Sequence, residues 1–367
     1  AVMFCYVSNP DGSAFAGDPR GLLKRTVDDL EKKGYGFNTG PELEYMYVAE
    51  KNGSVAPFGK GGYFDIPPLD PTEDVKLETL MCLEAAGFQI DRVHHEVAEG
   101  QQEINFRYSD ALKTADNVIL YKLAVKTIAQ KHETTATFMP KPFWGVNGSG
   151  CHMHQSIIEL DTGKNLFSDP DTKYGLSETA IHYIGGLLKH AQAMSMIVTP
   201  LVNSYKRLVP HYEAPVYIAW GYANRSAIVR VPLAPGEKNK VTRIEYRHPD
   251  PSCNPYLASV VLLKSGWEGI EKKIEPIADI QDNIYELSKK QLKDFGVTFL
   301  PEHLGEAVEC FEEDTSMKGI VGDFLHENLI ELKQAEFKSY MDYTGVEWAA
   351  SRPKITPWEY ERYLTRA

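Results

Sequence analysis

Three short runs of this chain place charged side chains on one face of a strand. In a strand, residues i and i+2 point the same way. Glu42 and Glu44 do so within GPELEYMY, His152 and His154 within GSGCHMHQS, and Arg243, Glu245 and Arg247 within TRIEYRH. Glu96 and Glu103 bracket a short connection, EVAEGQQE, between two further strand-like runs. Alternating charge is usually the solvent face of a half-exposed strand. Three such rows constrain the fold more tightly: if they line one concave sheet, their carboxylates crowd together and repel unless cations sit among them. Five glutamates and a histidine, with no cysteine, form a hard, oxygen-rich ligand set that favours Mg²⁺ or Mn²⁺ over zinc.

Arginine is the second theme. Arg207, Arg225, Arg230, Arg243 and Arg247 fall close together in a chain whose Lys+Arg count of 39 stands against 51 Asp+Glu. Guanidinium forks suit carboxylates and phosphates. Several of these arginines lie in strand-like runs, where an unpaired buried charge is costly. Divalent ions, arginines and glutamates together point to phosphoryl transfer, in which positioning and charge neutralisation carry most of the catalysis. A net charge of −12 makes the chain a poor general binder of polyanions, so nucleic acid is not an expected partner. An anionic small substrate fits where positive charge is focused locally or a metal supplies it.

A length of 367 residues is more than one simple core needs, yet no internal repeat or low-complexity linker divides the chain. No stretch approaches the roughly 18 uninterrupted apolar residues of a membrane span. The start, Ala1-Val2-Met3-Phe4-Cys5, lacks the basic region and long apolar core of a signal peptide, and it does not begin with Met, as a fragment or trimmed chain would not. Cys5, Cys82, Cys151, Cys253 and Cys310 are far apart and contain no C-x-x-C, so neither a zinc site nor a disulfide framework is expected. That pattern fits a reducing cytoplasm.

Asp18–Lys33 and Thr72–Ala86 read as amphipathic helices, with strands at Glu42–Val48, Arg92–Val97 and Gln102–Tyr108. A longer helix over Asp110–His132 leads to a Pro-containing strand at Thr137–Pro142. Leu176–Ile197 is helical again and stops at Pro200. Val216–Val231 reads as one strand, Pro235–Lys240 as a turn-rich break and Val241–Tyr246 as a further strand. From Asn254 helical patterns dominate, with loops around Phe295–Pro301 and Ala350–Pro357. The expected class is α+β, with a mostly antiparallel sheet and a helical C-terminal third.

The residues that carry this pattern resemble the catalytic domain of type I glutamine synthetase from end to end. The matching segments are GPELEY (40–45), KGGYFDIPP (60–68), HHEVAEGQQEINFRY (94–108), KPFWGVNGSGCHMHQS (141–156), NSYKRLVPHYEAP (203–215), NRSAIVRVP (224–232) and RIEYRHPDPSCNPY (243–256). Separate motifs in the family's order and near its spacing are specific in a way that one glycine-rich motif is not. The resemblance implies one catalytic domain over residues 1–367, its curved sheet forming an active-site funnel within 1–256 and its helical part within 257–367.

The resemblance also implies chemistry. Two divalent ions, Mg²⁺ or Mn²⁺, are held in the funnel, one by Glu44, Glu96 and Glu103 and the other by Glu42, His152 and Glu245. The glutamate γ-carboxylate attacks the γ-phosphate of ATP, and ammonia then displaces phosphate from γ-glutamyl phosphate. Arg225 and Arg243 contact the transferring phosphate and nucleotide. Arg230, His154, Ser156 and Lys240 join them at ATP, and Tyr108 stacks on adenine. Arg207 and Arg247 grip glutamate's carboxylates, while Asn147 and Gly148 meet its amino-acid end. Glu213 lies on a flap that closes over the site and shields the acyl phosphate. Tyr63 and Glu96 form part of an ammonium pocket.

Some features depart from the family. His211 stands where the family usually has glycine before Tyr-Glu-Ala-Pro, a side chain that bears on the flap and on the glutamate site. Full-length relatives carry an N-terminal β-rich domain that supplies, from a neighbouring subunit, an aspartate to deprotonate ammonium. The matched motifs do not include that domain, so the chain, if complete, is expected to bind nucleotide and metal weakly and to catalyse poorly; NPDGSAF near its start reads as a plain β-turn. The family's dodecamers of two hexameric rings imply a homo-oligomer. Tyr285, in NIYELSKK, falls near a tyrosine that some relatives adenylylate, but without the surrounding prolines and acidic residues it reads as an unmodified helix-start tyrosine. Two alternatives share the fold: a ligase joining glutamate to a larger amine such as a polyamine, and a non-catalytic structural member. The presence of all six metal ligands argues against the latter.

Overall fold

The computed structural model describes residues 2–51, 54–210, 212–233 and 241–367. Its organising element is one long strand, β1 (Tyr35–Lys51), much longer than the expected Glu42–Val48. The other strands are β2 (Ser54–Pro57), β3 (Ile90–His95), β4 (Gln101–Phe106), β5 (Ser109–Asp110), β6 (Thr135–Thr137), β7 (Cys151–Glu159), β8 (Tyr217–Tyr222), β9 (Ala227–Val231), β10 (Ile244–Tyr246) and β11 (Thr298–Phe299). They form an open sheet in the order β11-β8-β9-β10-β7-β1-β4-β3, with β2, β5 and β6 also pairing with β1. Every pairing is antiparallel except β8 with β9.

β1 can serve so many neighbours because it changes partner along its length. Tyr35–Leu43 pairs with β7, and Glu44–Met46 then pairs with β4. Its odd-numbered residues face the core: Tyr45 packs edge-on to Tyr47 at 5.2 Å and lies 5.4 Å from Phe138. Glu42 and Glu44 therefore project from the opposite face, as period-two spacing requires.

Helices α1 (Pro19–Glu31), α2 (Glu73–Ala85) and α3 (Ala111–Lys131) lie close to their expected bounds. Asp110 caps α3 by accepting from the Lys113 N–H, and Ala115, Val118, Tyr121, Val125 and Ile128 give it a buried stripe. The helix expected over Leu176–Ile197 is two, α4 (Glu178–Lys189) and α5 (Ala191–Val198), broken at His190, whose Nδ1 lies 2.6 Å from Asp314 Oδ2. α6 (Ser204–Arg207) is a single turn that presents Arg207. Beyond Asn254, whose side chain caps α7 (Pro255–Lys272), most elements are helical, and thirteen α-helices occur among the described residues.

Other expectations shift for local reasons. The single strand expected over Val216–Val231 is β8 and β9, because the Asn224 side chain accepts from both the N–H and hydroxyl of Ser226 and closes a turn, with Ala223 at φ +56°, after which the chain runs back to start β9 parallel to β8. The strand expected at Thr137–Pro142 ends at Thr137, whose hydroxyl instead accepts from the Met139 N–H. β3 stops at His95 rather than Val97, and β11 forms inside the loop expected at Phe295–Pro301. The break expected at Pro235–Lys240 lies outside the described residues.

Candidate active site

Strand register, more than spacing along any one strand, assembles the site. Glu44 opposes Glu103, which opposes His94 across β1, β4 and β3. Glu42 opposes His152, and Arg230, Glu245, His154 and Gly40 form one row across β9, β10, β7 and β1. Directly opposed residues share a face, so both rows empty into one cavity of about 330 Å³. Its wall includes Glu42, Glu44, Glu96, Glu103, His152 and His154, with Arg207, Arg225, Arg230, Arg243 and Arg247. Tyr63, Asn147, Gly148 and Glu213 also line it.

Two groups at this wall have ligand atoms lying within 4.8 Å of one another: Glu42, His154 and Glu245, the last buried behind the lining, and His94, Glu96 and Glu103. The expected ligands His152 and Glu44 stand between them. His152 Nδ1 is 3.5 Å from Glu42 and 3.8 Å from Glu245, and its Nε2 is 3.9 Å from Glu44. All six expected ligands are thus brought together, and two histidines join them. His94 was not singled out from the sequence, although it stands two residues before Glu96 in HHEVAEG, at the end of β3; its Nε2 lies 2.7 Å from Glu96 Oε1.

The electrostatics fit a hard cation. Burial pushes the Glu44 carboxyl up to about 8, and the nearby Glu96 charge adds to the rise. Glu103 is raised well above the carboxylate range by burial and by Glu42, Glu44 and Glu96. Burial also opposes ionisation of Glu42, but His152 and His154 outweigh it and hold that carboxyl well below its usual value. Buried carboxylates that repel one another, backed by imidazole and with no thiolate at hand, are a donor set suited to Mg²⁺ or Mn²⁺.

Glu245 marks the boundary between acid and base. It is fully buried and accepts from Arg247 Nη1 at 2.5 Å and Arg230 Nη1 at 2.6 Å. Arg243 Nε donates to His154 Nδ1 at 3.1 Å, tying the arginine wall to the Glu42 cluster. Arg225 is exposed on the return between β8 and β9. Arg207 is buried, donating from Nη1 to the carbonyls of His248 and Pro249 and from Nη2 to that of Arg247. The glycines above it are required by that packing: a Cβ on Gly150 would lie 2.8 Å from Arg207 Nη2, and one on Gly148 would lie 2.5 Å from the Pro140 carbonyl.

Glu213 hangs over the opposite rim at φ +56°, and its carboxylate accepts from Asn147 Nδ2 at 3.1 Å. Tyr285 belongs to a single 3-10 turn, Ile284–Glu286, and its hydroxyl donates to the Ala214 carbonyl at the base of that same loop. Ser156 and Tyr108 stand outside the cavity wall. Ser156 follows His152 and His154 on the same face of β7, and Tyr108 is exposed beside Gly40. Lys240 and His211 lie outside the described residues. Arg92, Gln101 and Tyr212 also reach the wall. Gln101 donates to Glu44 at 2.8 Å. None of the three carries a sequence signal apart from its strand or loop neighbours.

A model of the glutamine synthetase catalytic domain family matches residues 16–363. The glutamine synthetase of Clostridium saccharobutylicum is 45% identical over 369 residues, covering 100% of this chain and 80% of the relative. That of Pyrococcus furiosus is 47% identical over 357 residues, covering 96% and 79%. Among solved structures, GmaS without ligand matches with a TM-score of 0.80 at 32% identity, covering 96% of this chain and 78% of that one. A GmaS complex with ADP matches with a TM-score of 0.81 over the same shares.

Proposed function

The chain belongs to the glutamine synthetase family and is a ligase of that family, and on that premise we propose that it joins ammonia to L-glutamate at the expense of ATP, through γ-glutamyl phosphate. The observation that carries this reading is the division of one cavity into two carboxylate-histidine clusters facing an arginine wall. The clusters are where Glu42, Glu44, Glu96, Glu103, His152 and Glu245, together with His94 and His154, would hold two divalent ions. When bound, such ions neutralise charge on the polyphosphate and on the attacking carboxylate.

The chain's own residues supply the rest. Arg225, Arg230 and Arg243 line the side of the cavity where a γ-phosphate can lie between the arginines and the carboxylates, so charge developing on the transferred group meets fixed guanidinium donors. Arg243 holds His154 with its Nε2 toward Glu42 at 3.0 Å, orienting the imidazole on the nucleotide side. Arg247, anchored through Glu245, offers its remaining donors to the glutamate carboxylates. Arg207 supports that edge from beneath Gly148 and Gly150. Asn147 and Glu213 close the glutamate end, and the two loops they tie together exclude water from an acyl phosphate. Tyr63 and Glu96 border the ammonium position. The ADP bound in the GmaS complex supports a nucleotide in this cavity; Tyr108, Ser156 and Lys240 are the residues proposed to complete its site.

Exposed Tyr63, Phe64, Ile66 and Leu69 give the rim an apolar surface suited to a second subunit. This supports assembly into two hexameric rings whose neighbours complete each site. Five free thiols support a reducing, cytoplasmic setting. The test is phosphate release from ATP with Mg²⁺ and glutamate, with and without ammonium, glutamine being assayed in the same tubes and spermidine run beside them. Phosphate that rises with ammonium and equals glutamine formed is the expected result. Release driven only by the larger amine moves the chain to the amine-ligase reading, and no release supports a structural role.

A further inference from the structure

We propose that Lys141 is a positioning residue for this reaction, fixing Glu213 over the site through two separate loops at once. The inference rests on the reading of Glu213 given above. Lys141 is fully buried, and among the described residues no carboxylate forms an ion pair with it. Its Nζ donates to the Val146 carbonyl and faces the Tyr212 ring 4.3 Å from the centroid. Val146 and Tyr212 each immediately precede a residue of the rim, and those two residues, Asn147 and Glu213, are hydrogen-bonded to each other. One ammonium therefore closes a ring of contacts: Lys141 to Val146, Asn147 to Glu213, and Tyr212 back to Lys141.

The base of this ring is rigid. Asn203 binds the Lys141 backbone on both sides, accepting from its N–H at 2.7 Å and donating to its carbonyl at 3.0 Å. The same Asn203 amide donates to buried Glu359 at 2.7 Å. The far side of the ring needs holding, because Glu213 occupies a left-handed conformation that non-glycine residues keep only when their surroundings impose it. A cation buried without a counter-ion is costly. Here one carbonyl and two aromatic faces, Tyr212 at 4.3 Å and Trp144 at 5.9 Å, offset that cost, and all belong to the loops that carry the rim.

The experiment uses the full chain with Lys141→Met and Tyr212→Leu variants. Hydrogen exchange is read over residues 143–149 and 212–216, with peptides from β7 and α5 as controls. Lys141→Met is expected to raise exchange in both segments together, and Tyr212→Leu only in the second, with the controls unchanged. In the coupled assay, Lys141→Met is expected to lower kcat for glutamine by about tenfold to hundredfold. KM for ATP is expected to stay near that of the unsubstituted protein, and phosphate release to exceed glutamine formed. Exchange raised in only one segment, or in neither, overturns the proposal, as does an unchanged kcat in a protein that makes glutamine. If Lys141→Met also loosens the controls, Tyr212→Leu decides: a rise confined to 212–216 upholds the bridge and no rise overturns it. If the unsubstituted protein makes no glutamine, the functional reading fails, while the exchange pattern still decides whether Lys141 bridges the loops.

Discussion

Glu44 and Glu103 stand directly opposite each other in the antiparallel register of β1 and β4, and both are buried. Opposed like charges destabilise a sheet, and here each has a histidine 3.9 Å away. Glu44 also accepts from Gln101 and from the Gly150 N–H at 2.9 Å, which fixes its carboxylate in place rather than letting it swing away.

A divalent ion is therefore expected to stabilise the folded chain. Mg²⁺ or Mn²⁺ at 100 times its dissociation constant contributes about 2.7 kcal/mol by mass action, seen as a rise in Tm without nucleotide. Glu103→Gln removes a carboxyl that the metal-free fold must either protonate or hold charged beside its neighbours, so it is expected to raise Tm in chelator and to lose most of the metal-induced rise. A metal response equal in the two proteins would show that the clusters are not the binding site.

Part of this arrangement is legible in the sequence because period-two spacing alone puts Glu42 with Glu44 and His152 with His154 on one face. What spacing cannot supply is register. Nothing along the chain states that Glu245 lies beside His154, or that His94 meets Glu103, since those pairings depend on which strands become neighbours. The break at His190 and the return at Asn224 were missed for a related reason: side chains whose partners are remote, or not recognised as turn formers, override apolar periodicity. The roles of Lys141 and Tyr285 depend on tertiary contacts, and no local pattern marks them.

Glu245 gives a second prediction. It binds two guanidinium groups while fully buried, and its carboxyl is held down to about 2, burial opposing and Arg247 chiefly favouring ionisation. Glu245→Gln leaves Arg247 buried with its main counter-charge removed, and breaking a buried pair costs about 3–5 kcal/mol. Arg230→Met removes a partner that is partly exposed and is expected to cost less. Denaturant midpoints of the two variants check the ranking; equal midpoints would mean that Glu245 is not the anchor described.

Asp70 contributes to the acid limb of stability. Its carboxylate binds Lys76 Nζ at 2.5 Å and accepts from the Thr72 N–H and hydroxyl at the start of α2. Burial opposes ionisation, but these bonds hold its folded pKa below the ordinary 3.8. Because the folded value is the lower one, the stabilisation is complete above 3.8 and is lost as pH falls through the depressed value. The Tm difference between the unsubstituted protein and Asp70→Asn should be largest near neutrality and shrink as pH falls below about 4. A difference that stays constant through that range would assign the effect to packing.

Tyr285 tests the flap proposed at Glu213 from its outer side. Its hydroxyl donates 2.8 Å to the Ala214 carbonyl, one residue from Glu213, and its ring packs 5.8 Å from Tyr217. Tyr285→Phe keeps the ring and removes this donor, a change of about 1 kcal/mol. Global stability should move little, because the ring packing remains. The loss falls on the loop that carries Glu213, so kcat for glutamine should drop severalfold with KM for ATP unaffected. Burial pushes the phenol up to about 12, so the hydroxyl is protonated throughout the working range and the defect should not change between about pH 6 and 9. A Tyr285→Phe enzyme with unchanged kcat, or a defect that appears only at high pH, would show that this hydrogen bond does not hold the loop.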